Sequence, residues 1–198
     1  MLARLSVGSE LRDPAQVVVF LEDGPKGGAL PEGPFVIGQQ NKTFLPSQLI
    51  VPVGGVVEFV NADQLDHNVF SLAPGSAFDL GIYRKGAFRR VTFDKPGVVP
   101  VYCNIHPQMV AYVLAVDNPF FARPGKDGRF RLFGLPRGDY HLVAWSPHSI
   151  PIRQTVLVDG GAGIPLRLIV RERGGAERHT DKTGKAYQPY SAGEAGTR

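Results

Sequence analysis

The stretch VVPVYCNIHPQMVAYVLAV, residues 98–116, decides how this chain is read. Two apolar runs rich in Val and Tyr flank the short polar segment NIHPQ (104–108). That pattern predicts strand, tight loop, strand. Cys103 ends the first run and Met109 opens the second, and each is distinctive: Cys103 is the only cysteine, and Met109 is the only methionine besides Met1. His106 lies midway, so the loop reads C-x2-H-x2-M, with Pro107 directly after the histidine. Proline fixes its own φ and restricts the residue before it, which stiffens so short a loop.

Singly, each of these residues has an ordinary explanation. A buried Cys is a small apolar group, a Met fills a core, and a His finds a hydrogen bond. Together they form three donors within one compact loop. A fourth candidate lies upstream at His67, which follows the polar loop NADQLD (61–66) and opens the run HNVFSL. Two imidazoles and a thiolate in a plane, with a weak axial thioether, form the ligand set of blue-copper sites. Thiolate is soft and donates charge to Cu(II), imidazole suits both oxidation states, and thioether favours Cu(I). Such a set needs little rearrangement between the two states. His67, Cys103, His106 and Met109 are therefore the candidate ligands of one copper ion. A thiol enzyme using Cys103 and His106 lacks a third group and leaves Met109 unexplained. Structural zinc would call for more Cys or His and would not choose Met.

Outward from this loop the chain reads as short strands and turns. Expected strands are 16–21, two within 48–60 around Gly54-Gly55, 89–93, 98–103 and 109–116. Residues 25–34 are expected to form a loop, and 74–88 to be irregular. Beyond a break at 117–128, strands are expected at 129–133, 140–145, 153–158 and 165–170. No long helical period is present. The chain has 198 residues with 24 Gly and 17 Pro, enough for one large or two small all-β units. The expected division is 1–118, 119–171 and a polar, flexible tail at 172–198. An alternative is that the strand at 16–21 belongs with the second unit, which would make the first an insertion.

The net charge of +4 is modest, and its densest stretches are Arg84-Lys85 and Arg89-Arg90. No aromatic-interleaved basic motif points to nucleic acid. A single cysteine excludes an internal disulfide. No apolar run reaches the ~20 residues of a membrane span, and no leader is visible at Met1-Leu2-Ala3-Arg4.

The stretch 56–116 resembles the cupredoxins, of the plastocyanin and amicyanin type, in VVEFVNADQLDHNVFS (56–71) and VTFDKPGVVPVYCNIHPQMVAYVLAV (91–116). The resemblance implies a Greek-key β-sandwich with all four ligand positions filled. It implies that His106 is the electron exit and that Asn68 ties the two ligand loops together. It also implies an extracytoplasmic one-electron carrier that meets a redox protein, with the basic stretches suited to an acidic docking face. A copper-delivery role is the alternative, although Met-rich and His-rich tracts are missing. A multicopper enzyme would need more histidines than the five present. Residues 127–145, DGRFRLFGLPRGDYHLVAW, resemble the carboxypeptidase regulatory-like, transthyretin-type β domains, which bring no catalytic residue. His141 and His148 flank Trp145 and are expected to be structural. His179 is expected to be free in the tail.

Overall fold

The computed structural model describes residues 2–7, 16–147, 149–160, 167–171 and 179–187. Among these there are sixteen strands and no α-helix. They are β1 (Leu2–Val7), β2 (Val18–Leu21), β3 (Phe35–Gln40), β4 (Thr43–Leu45), β5 (Gln48–Pro52), β6 (Gly55–Asn61), β7 (His67–Ser71) and β8 (Phe78–Tyr83). The rest are β9 (Phe88–Phe93), β10 (Gly97–Cys103), β11 (Val110–Val116), β12 (Phe121–Ala122), β13 (Arg129–Arg131), β14 (Gly138–Trp145), β15 (Ile152–Val158) and β16 (Arg167–Val170). The all-β expectation holds.

Two sheets enclose the first core, one in the order β5-β11-β10-β7-β8 and the other β4-β3-β6-β9. Strand alternation explains which side chains meet between them. In β10, Val99, Val101 and Cys103 point inward, whereas Val98, Pro100 and Tyr102 are half-buried on the other face. In β6, Val57 and Phe59 point inward, opposite them. Ile37, Phe44, Val69, Ala111 and Val113 complete the layer. Burying one such side chain contributes about 1.5–3 kcal/mol. Ile37→Val should lower unfolding stability by about 0.5–1.5 kcal/mol, read as a lower denaturant midpoint at unchanged slope.

Segment 48–60 forms two strands as expected, but they do not pair with each other. β5 runs parallel to β11, whereas β6 pairs with β3 and β9, so the chain crosses between sheets at Gly54. Residues 78–83, expected to be irregular, form β8 on the edge beside β7, with a register shift between Asn68 and Phe70. Gly81 and Asp79 break the apolar alternation there, and backbone pairing supplies what the pattern lacks.

A second pair of sheets, β13-β1-β16 and β12-β2-β14-β15, holds a separate core with Val17, Val19, Leu21, Phe130, Leu142 and Leu168. β2 pairs with β12 and β14, so the strand at 16–21 lies with the later strands. The two cores meet along β11, which is buried on both faces. Ala111, Val113 and Ala115 face the first core, while Tyr112, Leu114 and Val116 meet Val18, Phe20, Val143 and Trp145.

Candidate metal centre

The β10–β11 hairpin carries the decisive loop. The ladder runs from Gly97↔Ala115 to Tyr102↔Val110, leaving 103–109 as its closed end. The loop is held by its own main chain: Cys103 N–H donates to Met109 O (3.3 Å) and Met109 N–H to His106 O (3.0 Å). β7 pairs with β10 at Tyr102↔Phe70 and Cys103↔Val69, which brings His67 to the same end of the sheet. Asn104 N–H donates to Asn68 O (2.9 Å), joining the two ligand-bearing segments.

Three donor atoms converge. His67 Nδ1 lies 3.7 Å and His106 Nδ1 3.8 Å from Cys103 Sγ, and the two Nδ1 atoms are 3.1 Å apart. Bonds of about 2.0 Å to nitrogen and about 2.3 Å to sulfur would need nitrogens about 3.3–3.5 Å apart and nitrogen–sulfur spacings of about 3.5–3.7 Å. The triangle fits one small metal ion. Among the described residues it is the one cluster of three such donors. His67 and Cys103 are fully buried, and His106 is half-buried at the rim. Met109 is 1% exposed and packs in the same core as Cys103.

The surroundings favour a thiolate. Burial pushes the Cys103 thiol up. The His67 ring and the N–H groups of Asn68, His106 and Ile105 outweigh that and bring it below its ordinary value. Burial pushes His67 down, but hydrogen bonds with Cys103 and Asp63 raise it overall. His106 lies below its ordinary value through burial and the nearby His67 and Lys42 charges. A buried thiolate beside imidazole ligands suits a soft, redox-active ion.

Asp63 completes the arrangement, and the sequence reading passed over it. Its Oδ2 lies 2.9 Å from His67 Nε2, the ring nitrogen facing away from the donor triangle. The same carboxylate accepts the backbone N–H groups of Asn41 and Lys42, each at 2.8 Å. Those residues form the two-residue turn between β3 and β4, with φ of 51° and 55°. Such a turn is favoured in tight hairpins but strained for residues with a side chain. Burial pushes the Asp63 carboxyl up, yet the Lys42 and Asn41 amides and His67 hold it below the usual carboxylate range. Asp63 is therefore ionised and orients the His67 ring. Its signal in the sequence was an acid four residues before the histidine.

Asn68 acts differently from the expectation. Its side-chain amide donates to Asp79 Oδ1 (2.5 Å) and Gly81 O (3.0 Å), fastening β7 to β8. The link between ligand segments is its backbone instead. Adjacent residues on a strand point to opposite faces, so His67 and Asn68 cannot both aim their side chains at the metal. His179, expected to be free, stacks on Tyr102 with ring centroids 4.0 Å apart and planes 16° apart. His141 is paired with Asp23 at 2.6 Å, and His148 lies outside the described residues.

No protein-family profile matches this chain, and no curated protein matches it. Solved structures similar to it include the purple cupredoxin from Nitrosopumilus maritimus, at 25% identity over 42% of this chain and 100% of that chain, with a TM-score of 0.39. Amicyanin from Paracoccus versutus is 22% identical over 50% of this chain and 97% of that chain, with a TM-score of 0.40. The case for the metal rests on the donor triangle itself: two imidazoles and a thiolate meeting at one point, in the same core as the thioether-bearing Met109, are the donor set of a single copper ion.

Proposed function

We propose that this protein is a one-electron carrier with a type 1 copper centre held by His67, Cys103 and His106, and with Met109 as the weak axial donor. The observation that carries this reading is the buried donor triangle, set at the end of a rigid ladder. The bound ion would supply a one-electron couple between Cu(II) and Cu(I). The chain's part is to hold two nitrogens and a sulfur in place across both states, with Asp63 fixing one ring and the loop's backbone hydrogen bonds fixing the other two ligands. Apolar packing around Cys103 excludes water and keeps the thiolate from competing chemistry.

His106 is the natural exit for the electron, because it alone of the three donors reaches the surface. Ile105 and Pro107 beside it are exposed and suit a short contact with a redox protein. Arg84, Lys85 and Arg89 are exposed on the β8–β9 side and would steer an acidic partner. A copper thiolate also suits an extracytoplasmic setting rather than a reducing one. The second pair of sheets would serve as a supporting module, in keeping with the sequence resemblance of residues 127–145 to transthyretin-type domains.

Loading with Cu(II) tests the proposal. An intense thiolate-to-copper band with a small parallel hyperfine splitting is expected, whereas pale ligand-field bands alone would refute it. A carrier must also exchange electrons faster than it surrenders copper to a chelator; the reverse order would indicate copper delivery. Met109→Leu should keep the band and shift the potential, because the weak axial donor tunes the balance between Cu(II) and Cu(I). Cyclic voltammetry of the two proteins checks this.

A further inference from the structure

We propose that residues 179–187 are a positioning clamp for the metal centre, holding the ligand loop against the β7–β8 pair. This rests on the copper reading above and goes beyond it. Four contacts made by this short segment fall on the ligand loop or on its immediate support. Tyr187 donates its hydroxyl to Cys103 O (3.1 Å). Lys182 N–H donates to Asn104 Oδ1 (2.9 Å). His179 Nε2 lies 2.7 Å from Pro107 O. Lys182 Nζ pairs with Asp79 at 2.7 Å, and Asp79 in turn receives the Asn68 amide next to His67. The residues touched include one ligand, two of the four residues that flank ligands inside the loop (Asn104 and Pro107), and the anchor of the strand that bears His67.

The segment is built to keep its shape. Asp181 Oδ1 accepts the N–H groups of Thr183 (2.8 Å) and Lys185 (3.0 Å) and the Thr183 hydroxyl (2.8 Å). Asp181 N–H donates to Lys185 O (2.7 Å), and Gly184 N–H donates to Asp181 O (3.0 Å). Gly184 takes φ of 81°, which the turn requires and which glycine adopts at low cost. Aromatic packing seats it: the His179 ring lies between Tyr102, stacked face to face, and Tyr187, edge-on at 5.1 Å. A preorganised element spends little entropy on docking and so can restrain what it touches. The segment follows β16 in the chain, and β16 belongs to the second pair of sheets.

Hydrogen exchange of the metal-free protein tests the clamp directly. In a chain ending at Arg171, the Cys103, Asn104 and Met109 amides should exchange about tenfold faster or more, as expected when several hydrogen bonds restraining local opening are removed. The Val99, Val101 and Val113 amides, inside the ladder, should not change. Tyr187→Phe combined with His179→Ala in the full-length chain makes the same comparison without shortening the protein. In the copper-loaded protein both changes should alter the parallel hyperfine splitting and shift the potential, a response that loss of mere surface packing would not give. Exchange at the three loop amides within about a factor of two of the full-length protein, in both variants, would overturn the proposal. If the full-length protein takes up no copper, the carrier reading fails, and the exchange result still decides the clamp.

Discussion

Cys103→Ser should abolish the thiolate-to-copper absorption and leave any bound Cu(II) with the spectrum of an ordinary nitrogen–oxygen site. The intense band of a blue site arises from charge moving from thiolate sulfur to Cu(II), and a serine hydroxyl cannot supply it. A hydroxyl is also far harder to deprotonate than the Cys103 thiol, which the amides of Asn68, His106 and Ile105 and the His67 ring already bring below its ordinary value. Affinity for Cu(I) should fall most, since the soft donor is what favours that state. The fold should survive, because serine is nearly the same size and the same amides can meet its oxygen. Burying a hydroxyl whose hydrogen bonds are partly met costs about 0.5–2 kcal/mol. Titration with Cu(II), followed by visible absorption and paramagnetic resonance, checks this, and an unchanged band in Cys103→Ser would remove Cys103 from the ligand set.

Asp63→Ala should weaken copper binding by about 10–100-fold, the usual cost of losing the outer partner of a metal-bound histidine. The carboxylate has two tasks. It holds the His67 ring through Nε2, and it satisfies the amides of the strained Asn41-Lys42 turn. Alanine ends both. Asp63→Asn keeps a single acceptor oxygen and removes the charge, so it should be milder in affinity but still raise the potential, because a nearby negative charge stabilises Cu(II) over Cu(I). Competition with a chelator and voltammetry of the three proteins separate orientation from charge. Equal affinities in wild type and Asp63→Ala would mean that the ring is held by packing alone. Metal-free Asp63→Ala should also be less stable, since the N–H groups of the strained Asn41-Lys42 turn lose their acceptor.

Much of the centre was legible in the chain because its donors are local. Cys103, His106 and Met109 lie within one loop, and a turn this short leaves few ways to arrange them. The inward position of Cys103 also follows from strand alternation with Val99 and Val101. His67 was legible in kind, as a histidine opening an apolar run after a polar loop, while the β7–β10 pairing that brings it within 3.7 Å of Cys103 is a long-range fact. β8 was missed for a related reason. An edge strand containing Gly and Asp lacks the apolar period that marks strands, and its neighbour supplies the stability.

The all-β class, the donor chemistry and the compact loop follow from residue type and short spacing, through local sterics and ligand preference. Long-range packing set the rest. It placed β2 beside β14, turned Asn68 toward β8, set Asp63 behind His67 and laid His179, Lys182 and Tyr187 over the ligand loop. Each of those contacts joins residues whose meeting depends on how sheets pair and pack, and no local pattern along the chain encodes which distant partner a polar side chain will find.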